Sequence, residues 1–98
     1  MTYELEFDPR ALKEWQKLGH TVKTQFKKKL EKVLENPRIE ANQLSGLSDC
    51  YKIKLRSAGY RLVYQVRDEL IIVFVVAIGK RENNAVYEDA HQRTEAQE

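Results

Sequence analysis

A single cysteine, two prolines, four glycines and one tryptophan stand among 98 residues. One thiol cannot close an internal disulfide, which suits a reducing compartment, and the expectation is a cytoplasmic protein. Histidine occurs only at His20 and His91, and neither belongs to an array with zinc-ligand spacing. The middle of the chain holds only Asp68 and Glu69 as acids, adjacent in a turn and poorly disposed to hold magnesium. No Gly-rich phosphate loop and no activated-serine motif occurs. The expectation is therefore a protein with no metal and no cofactor. The longest apolar stretch, Leu70 to Gly79, is ten residues, too short to cross a bilayer as a helix. The opening Met-Thr-Tyr-Glu-Leu-Glu carries neither a basic start nor an apolar run, so no secretory signal and no membrane partner are expected.

What is present is an ordinary apolar content, 42%, and an uneven distribution of charge. Residues 1–49 have a balance of +1, residues 50–81 of +5 and residues 82–98 of −4. The net +2 thus conceals a basic middle and an acidic end. A basic patch attracts a polyanion if folding gathers its charges on one face.

The hydropathy pattern predicts strand, two helices, a turn-rich link, three strands and a short terminal helix. Tyr3, Leu5 and Phe7 alternate with Glu4 and Glu6, a strand with one wet face. Asp8-Pro9 starts a helix, with the carboxylate as cap and Pro9 at the first helical position. Ala11, Leu12, Trp15 and Leu18 form its apolar stripe, and Gly19 is expected to end it in a left-handed conformation. Thr21 is the expected cap of a second helix, in which Val22, Phe26, Leu30, Val33 and Leu34 face inward. Lys23, Lys27, Lys28 and Lys32 populate its outer surface, Lys29 lies near the stripe's edge, and Pro37 stops the helix by Asn36. The link from Arg38 to Asp49 carries no clear pattern.

Beyond it, Tyr51, Ile53 and Leu55 alternate with Lys52, Lys54 and Arg56, and Leu62, Tyr64 and Val66 alternate with Arg61, Val63 and Gln65. Leu70 through Ile78 reads as a central strand covered on both faces. A last helix is expected from Asn84 to about Arg93, with 94–98 as a frayed tail. No linker, repeat or low-complexity segment interrupts the chain, so residues 1–98 are expected to form one domain. The fold class is α+β: an antiparallel-rich four-stranded sheet with an N-terminal αα-hairpin on one face and a short C-terminal helix.

Strand parity puts Lys52, Lys54 and Arg56 on one face, and Arg61 joins them if Arg56 pairs opposite Arg61. That register sets Lys54 opposite Val63 and Lys52 opposite Gln65, and a one-residue slip would mix basic and core faces. Lys80 and Arg81 follow at the end of the apolar strand, and Tyr87 is six residues further on. Clustered cations repel one another, which favours an anion between them. The plainer reading is a solvated lysine face, the commonest use of alternating lysines on a strand. Cys50 reads as a small buried hydrophobe rather than a nucleophile.

Several segments together resemble the RelE family of bacterial toxin–antitoxin toxins. They are Arg10-Ala-Leu-Lys-Glu-Trp15, Asn36-Pro37, Cys50-Tyr-Lys-Ile-Lys-Leu-Arg56, Gly59-Tyr-Arg-Leu-Val-Tyr-Gln-Val66 and Val76-Ala-Ile-Gly-Lys-Arg-Glu82, followed by Tyr87. The resemblance implies an endoribonuclease that enters the ribosomal A site of the 70S ribosome and cuts mRNA by metal-independent 2′-hydroxyl attack. It implies catalytic roles for Lys52, Lys54, Arg61, Arg81 and Tyr87, and contact of Lys23, Lys27, Lys28, Lys32, Arg56 and Lys80 with RNA or the ribosome. It also implies a RelB-like antitoxin as partner, with operator DNA reached only through the antitoxin complex. One departure is Ser45, at a loop position where close relatives can carry a basic residue. Two other readings stay open: a toxin of this fold that binds DNA gyrase, and an RNA- or ribosome-binding module without catalysis.

Overall fold

The computed structural model describes residues 2–80 and 85–96. Strand β1 (Glu4–Phe7) leads into helices α1 (Pro9–Gln16) and α2 (His20–Glu35). Strands β2 (Cys50–Leu55), β3 (Tyr60–Arg67) and β4 (Ile72–Lys80) follow, and helix α3 (Ala85–Ala96) is last. The four strands form one sheet in the order β1-β4-β3-β2. The β1–β4 pair is parallel and the other two pairs are antiparallel, so the sheet is mixed.

Asp8 caps α1 as its chemistry suggests, accepting from the Arg10 backbone N–H at 2.8 Å, with Pro9 at the first position. Burial pushes the Asp8 carboxyl up, but the Arg10 side chain and amide bonded to it hold it below its ordinary value. The end of α1 differs from expectation. Gly19 is extended, with φ −66° and ψ 158°, and is the N-cap of α2 rather than a left-handed terminator of α1. Thr21 accordingly lies inside α2, whose N-terminus has no side-chain cap. The connection is only Lys17–Gly19, so the second helix starts as soon as the chain has reversed.

Phe26, Leu30 and Val33 of α2 are buried with Ala11 and Leu18 against the sheet face formed by Tyr51, Ile53, Leu55, Leu62, Tyr64, Val73 and Val75. Full burial of side chains this size stabilises by about 1.5–3 kcal/mol each. Trp15 is wedged between Phe7 and Phe26, with ring centroids 5.4 and 6.3 Å away. Pro37 ends α2 as expected, and its carbonyl accepts from the buried Tyr64 hydroxyl at 2.8 Å.

The patternless link is held by charge. Arg38 bonds Asp68 at 2.6 Å, Asp49 at 3.0 Å and the Tyr51 hydroxyl at 3.3 Å, while the Tyr3 hydroxyl donates to Asp68 at 2.6 Å. A short helical turn at Glu40–Asn42 and a bridge from Gln43 to Tyr51 then bring the chain to the edge of β2.

The central strand starts at Ile72, two residues later than its apolar run suggests. Asp68–Leu70 form a helical turn and Ile71 adopts a left-handed φ of 56°. The antiparallel pairing of Arg67 with Ile72 consumes these four residues in the reversal, leaving Leu70 exposed. Between Val63 and Tyr64 the β3–β4 register shifts, and Val76 is the extra residue. Val76 and Ala77 thus both join a second, smaller core with Cys50, Val63, Val86 and Ala90, under α3. β4 is covered on both faces, as its apolar run implies. Helix α3 also runs past the expected end: Thr94 is buried, and its hydroxyl bonds the Ala90 and His91 carbonyls. The frayed tail therefore does not begin at residue 94, because Arg93 is anchored to the body of the protein. Among the described residues no helix is long and apolar enough to cross a membrane.

Candidate active site

Lys52 and Lys54 leave β2 on the face opposite α1 and α2, because Ile53 and Leu55 between and beside them belong to the main core. The hairpin register differs from expectation by two residues. Lys54 pairs with Arg61, Lys52 with Val63 and Cys50 with Gln65. The turn occupies residues 56–59, where Gly59 has φ 70° and its N–H bonds the Leu55 carbonyl at 2.9 Å. Arg56 is consequently an exposed turn residue and not a strand partner of Arg61. A shift of two keeps every side chain on its face, so the basic side chains still gather. It also sets Lys54 directly across from Arg61.

Tyr87 completes the group. Arg61 Nη1 donates to the Tyr87 hydroxyl at 2.9 Å, and the guanidinium carbon lies 5.2 Å from the ring centroid. Helix α3 holds Tyr87 there by burying Val86 and Ala90 against Val63, Val76 and Ala77. Gly79, opposite Arg61, lies under α3, where a Cβ would make an ordinary contact with Val86 Cβ at 3.6 Å.

The electrostatics follow from the crowding. The Lys52 charge, then burial, then Arg61, a bond to Lys52 and the Arg56 charge all disfavour the protonated Lys54 amine, so its pKa is lowered. Among the described residues, no carboxylate pairs with Lys52, Lys54 or Arg61. Around Lys54 the surface is concave. A cleft of about 320 Å³ is lined by Lys54, Leu55, Arg56, Tyr60 and Arg61. A second, of about 510 Å³, runs from Lys54 and Arg56 to Gln25, Lys28 and Lys29 of α2. A third, of about 370 Å³, includes Lys29, Lys32, Lys54 and Arg56.

The structure thus brings Lys52, Lys54, Arg61 and Tyr87 together, and Lys28, Lys32 and Arg56 adjoin them. Lys23 and Lys27 lie on α2 outside the linings of these clefts. Lys80, paired with Tyr60, is exposed at the end of β4. Arg81 lies outside the described residues. Ser45 is exposed in the loop before β2. Sequence reasoning missed the part played by Lys29, whose ammonium donates to the Lys54 backbone carbonyl at 3.2 Å and ties α2 to the open edge of β2. Its position at the border of the α2 stripe was the available signal. Cys50 is fully buried, and burial pushes its thiol up to about 11, away from nucleophilic chemistry. His20 and His91 are both exposed, and no group of three or more His, Cys, Asp or Glu among the described residues could hold a metal.

Residues 5–85 match the sequence profile of a family described as the ParE toxin of the type II toxin–antitoxin system parDE. The chain is 67% identical over 93 residues to the mRNA interferase toxin RelE of Escherichia coli K12, covering 95% of this chain and 98% of that one. A solved mutant of E. coli toxin RelE in the free state superposes with a TM-score of 0.88 at 66% identity, covering 95% of this chain and 98% of that chain. RelE in the intact E. coli RelBE toxin–antitoxin complex superposes at 0.80 with 69% identity, over 83% of this chain and 99% of that one. An archaeal RelE, from Pyrococcus horikoshii, shares the fold at 21% identity and a TM-score of 0.63, over 85% of this chain and 99% of that one.

Fold and sequence together define a small α+β toxin of a type II toxin–antitoxin system. Within that class, the chain belongs to the RelE family.

Proposed function

We propose that this protein is a ribosome-dependent endoribonuclease that cuts mRNA in the ribosomal A site and is neutralised by a RelB-like antitoxin. The observation that carries the reading is the cross-strand pair of Lys54 and Arg61 with the Tyr87 hydroxyl on Arg61 at 2.9 Å. A general base, an oxyanion partner and an aromatic ring meet there on one concave cationic face.

In the proposed reaction the substrate 2′-oxygen attacks the adjacent phosphorus. The 2′-O–P bond forms, the P–O bond to the 5′-oxygen breaks, and the products are a 2′,3′-cyclic phosphate and a 5′-hydroxyl. Lys54 takes the 2′-hydroxyl proton, a role that needs an unprotonated amine and that its lowered pKa favours. Lys52 and Arg61 stabilise the charge that grows on the phosphate oxygens. Tyr87 stacks on a neighbouring base and bends the strand toward in-line geometry. Arg81, carried by the family resemblance alone, is assigned to the departing 5′-oxygen as a charge stabiliser, since a guanidinium is a poor acid, and that oxygen takes its proton from water. The reaction as written draws its groups from this chain, its substrate and water, with no cofactor.

Lys28, Lys32, Arg56 and Lys80 extend the positive surface, with Lys23 and Lys27 further along α2, toward contact with ribosomal RNA. Such binding weakens as salt rises. The described residues present no base-reading device of their own, and we assign the positioning of the message to the ribosome. Solved E. coli RelE structures include complexes with RelB and with a RelB peptide, which supports an antitoxin partner for this chain. We assign to that partner the displacement of α3, and with it Tyr87, and any contact with operator DNA.

The test is to map mRNA ends on programmed 70S ribosomes before and after adding the protein. New 5′-hydroxyl ends within the A-site codon are expected, with little cutting of free RNA at the same concentration. Unchanged ends with ribosome binding would leave only a binding module. The description of the matching family as ParE toxins keeps one second reading in view, a toxin acting on DNA gyrase, and loss of gyrase supercoiling without new mRNA ends would establish it.

A further inference from the structure

Strand β1 ends at Phe7, which pairs with Val75, and the chain then turns away into α1. Among the described residues, the rest of β4 on that side has no strand neighbour. Two side chains meet its backbone instead. The Ile78 N–H donates to Glu14 Oε1 at 3.1 Å, and Arg93 Nη1 donates to the Val76 carbonyl at 2.8 Å. The same two side chains pair with each other, Nη1 to Oε1 at 2.8 Å and Nη2 to Oε2 at 3.2 Å. Glu14 belongs to α1 and Arg93 to α3, so one bidentate pair with two backbone bonds joins both helices to an unpaired sheet edge. The Arg93 side chain is 11% exposed and that of Glu14 28%, and Asp89 is a looser neighbour at 3.9 Å.

The apolar attachment of α3 is thin: among the described residues, Val86 and Ala90 are its buried hydrophobic side chains. These two small side chains set how close the helix lies and form the contact about which it could turn, with Tyr87 partly buried beside them. Tyr87 is next to this pivot, and rotation would carry its hydroxyl away from Arg61. Arg93, six residues further along α3, is placed to stop it.

We infer that Glu14 and Arg93 are positioning residues, which clamp α3 to the free edge of β4 and so keep the Tyr87 hydroxyl on Arg61. The effect on rate rests on the function proposed above; the effect on Tyr87 geometry does not.

The experiment uses the full chain carrying 3-fluorotyrosine, with the Tyr87 fluorine signal assigned by its loss in Tyr87→Phe. Glu14→Ala shifts or broadens that signal, whereas Glu14→Gln, which keeps an acceptor for Ile78 and Arg93, retains it. On mRNA-programmed ribosomes Glu14→Ala lowers the maximal single-turnover rate about tenfold or more, a displacement effect. The ribosome concentration for half-maximal rate stays unchanged. In a Tyr87→Ala background Glu14→Ala costs nothing further. If Glu14→Ala does not fold, Arg93→Lys, which keeps the charge but not the fork, takes its place with the same signal change and a smaller rate loss. A folded variant with an unmoved Tyr87 signal, or a rate loss that adds fully to that of Tyr87→Ala, overturns the inference. Absence of cleavage by the parent chain overturns the proposed function instead, and the fluorine signal still decides the clamp.

Discussion

Strands β2 and β3 carry a charged cluster at each end, and the two are built on opposite terms. At one end Arg38 is met by Asp68 at 2.6 Å and Asp49 at 3.0 Å, with Tyr3 and Tyr51 filling the remaining positions. At the other, Lys54 faces Arg61 across the strands with Lys52 beside it, and no described carboxylate answers them. The titration shifts record the difference. The Tyr3 hydroxyl and then Arg38 hold the Asp68 carboxyl below its ordinary value, and Asp68 and Asp49 raise Arg38. Lys54 is pushed the other way, toward loss of its charge. A cluster whose shifts favour the charged forms holds the chain together. At the other end the lowered Lys54 pKa disfavours the charge, the mark of like charges crowded together.

The largest test of this contrast is Lys54→Ala. Single-turnover cleavage on programmed ribosomes should fall at least ~100-fold, the scale of a lost general base, with no loss of thermal stability. A near-normal rate would dissolve the functional half of the comparison. Next is Tyr87: removal of the ring in Tyr87→Ala should cost about tenfold or more in the same assay, the worth of a stacked base. Tyr87→Phe should retain most of the rate, and a loss as large as that of the alanine variant would assign proton transfer to the hydroxyl.

Lys52→Gln sharpens the electrostatic argument. It removes the main charge repelling the Lys54 proton, so the Lys54 pKa rises toward its ordinary value. Less free base is then present at a given pH, and the rising limb of the pH–rate profile should move to higher pH. An unmoved limb would detach that titration from Lys54. The smallest effect belongs to the neutralised end. Arg38→Ala should lower the melting midpoint by about 4 °C, as expected for an exposed network in a chain of this size, and leave cleavage unchanged. The lowered Asp68 pKa contributes stability above the unfolded value near 3.9, and that contribution is lost as pH falls through the folded pKa. Parent and variant should therefore melt together at sufficiently low pH.

Much of this was legible in the chain because periodicity reports faces. The alternation of Tyr51, Ile53 and Leu55 with Lys52 and Lys54 set the side of each residue, and that survived a hairpin register two residues from expectation. Turn chemistry was less informative, since Gly59, Ser57 and Ala58 permit loops of several lengths and only the pairing of Leu55 with Tyr60 chooses one. The same holds for Gly19 and Thr21, either of which has the chemistry to begin a helix. Contacts between distant segments left little local trace beyond the place of Lys29 at the border of its stripe. Neither Lys29 on the Lys54 carbonyl nor Arg93 on Glu14 could be seen from spacing, because each bond joins elements brought together only by the sheet. Arg93 also explains why α3 outlasts the few apolar residues that announce it.

The extra residue in β4 has a consequence for how the chain counts. Before Val76, the odd-numbered Val73 and Val75 point toward the helix hairpin; after it, that direction belongs to the even-numbered Ile78. A nine-residue strand thus enters in one phase and leaves in the other. Deleting Val76 would restore strict alternation and leave Ala77 and Ile78 on the faces they now occupy. The bulge in this sense absorbs one surplus residue, so that Ile78 still meets the helix hairpin and Ala77 still meets α3.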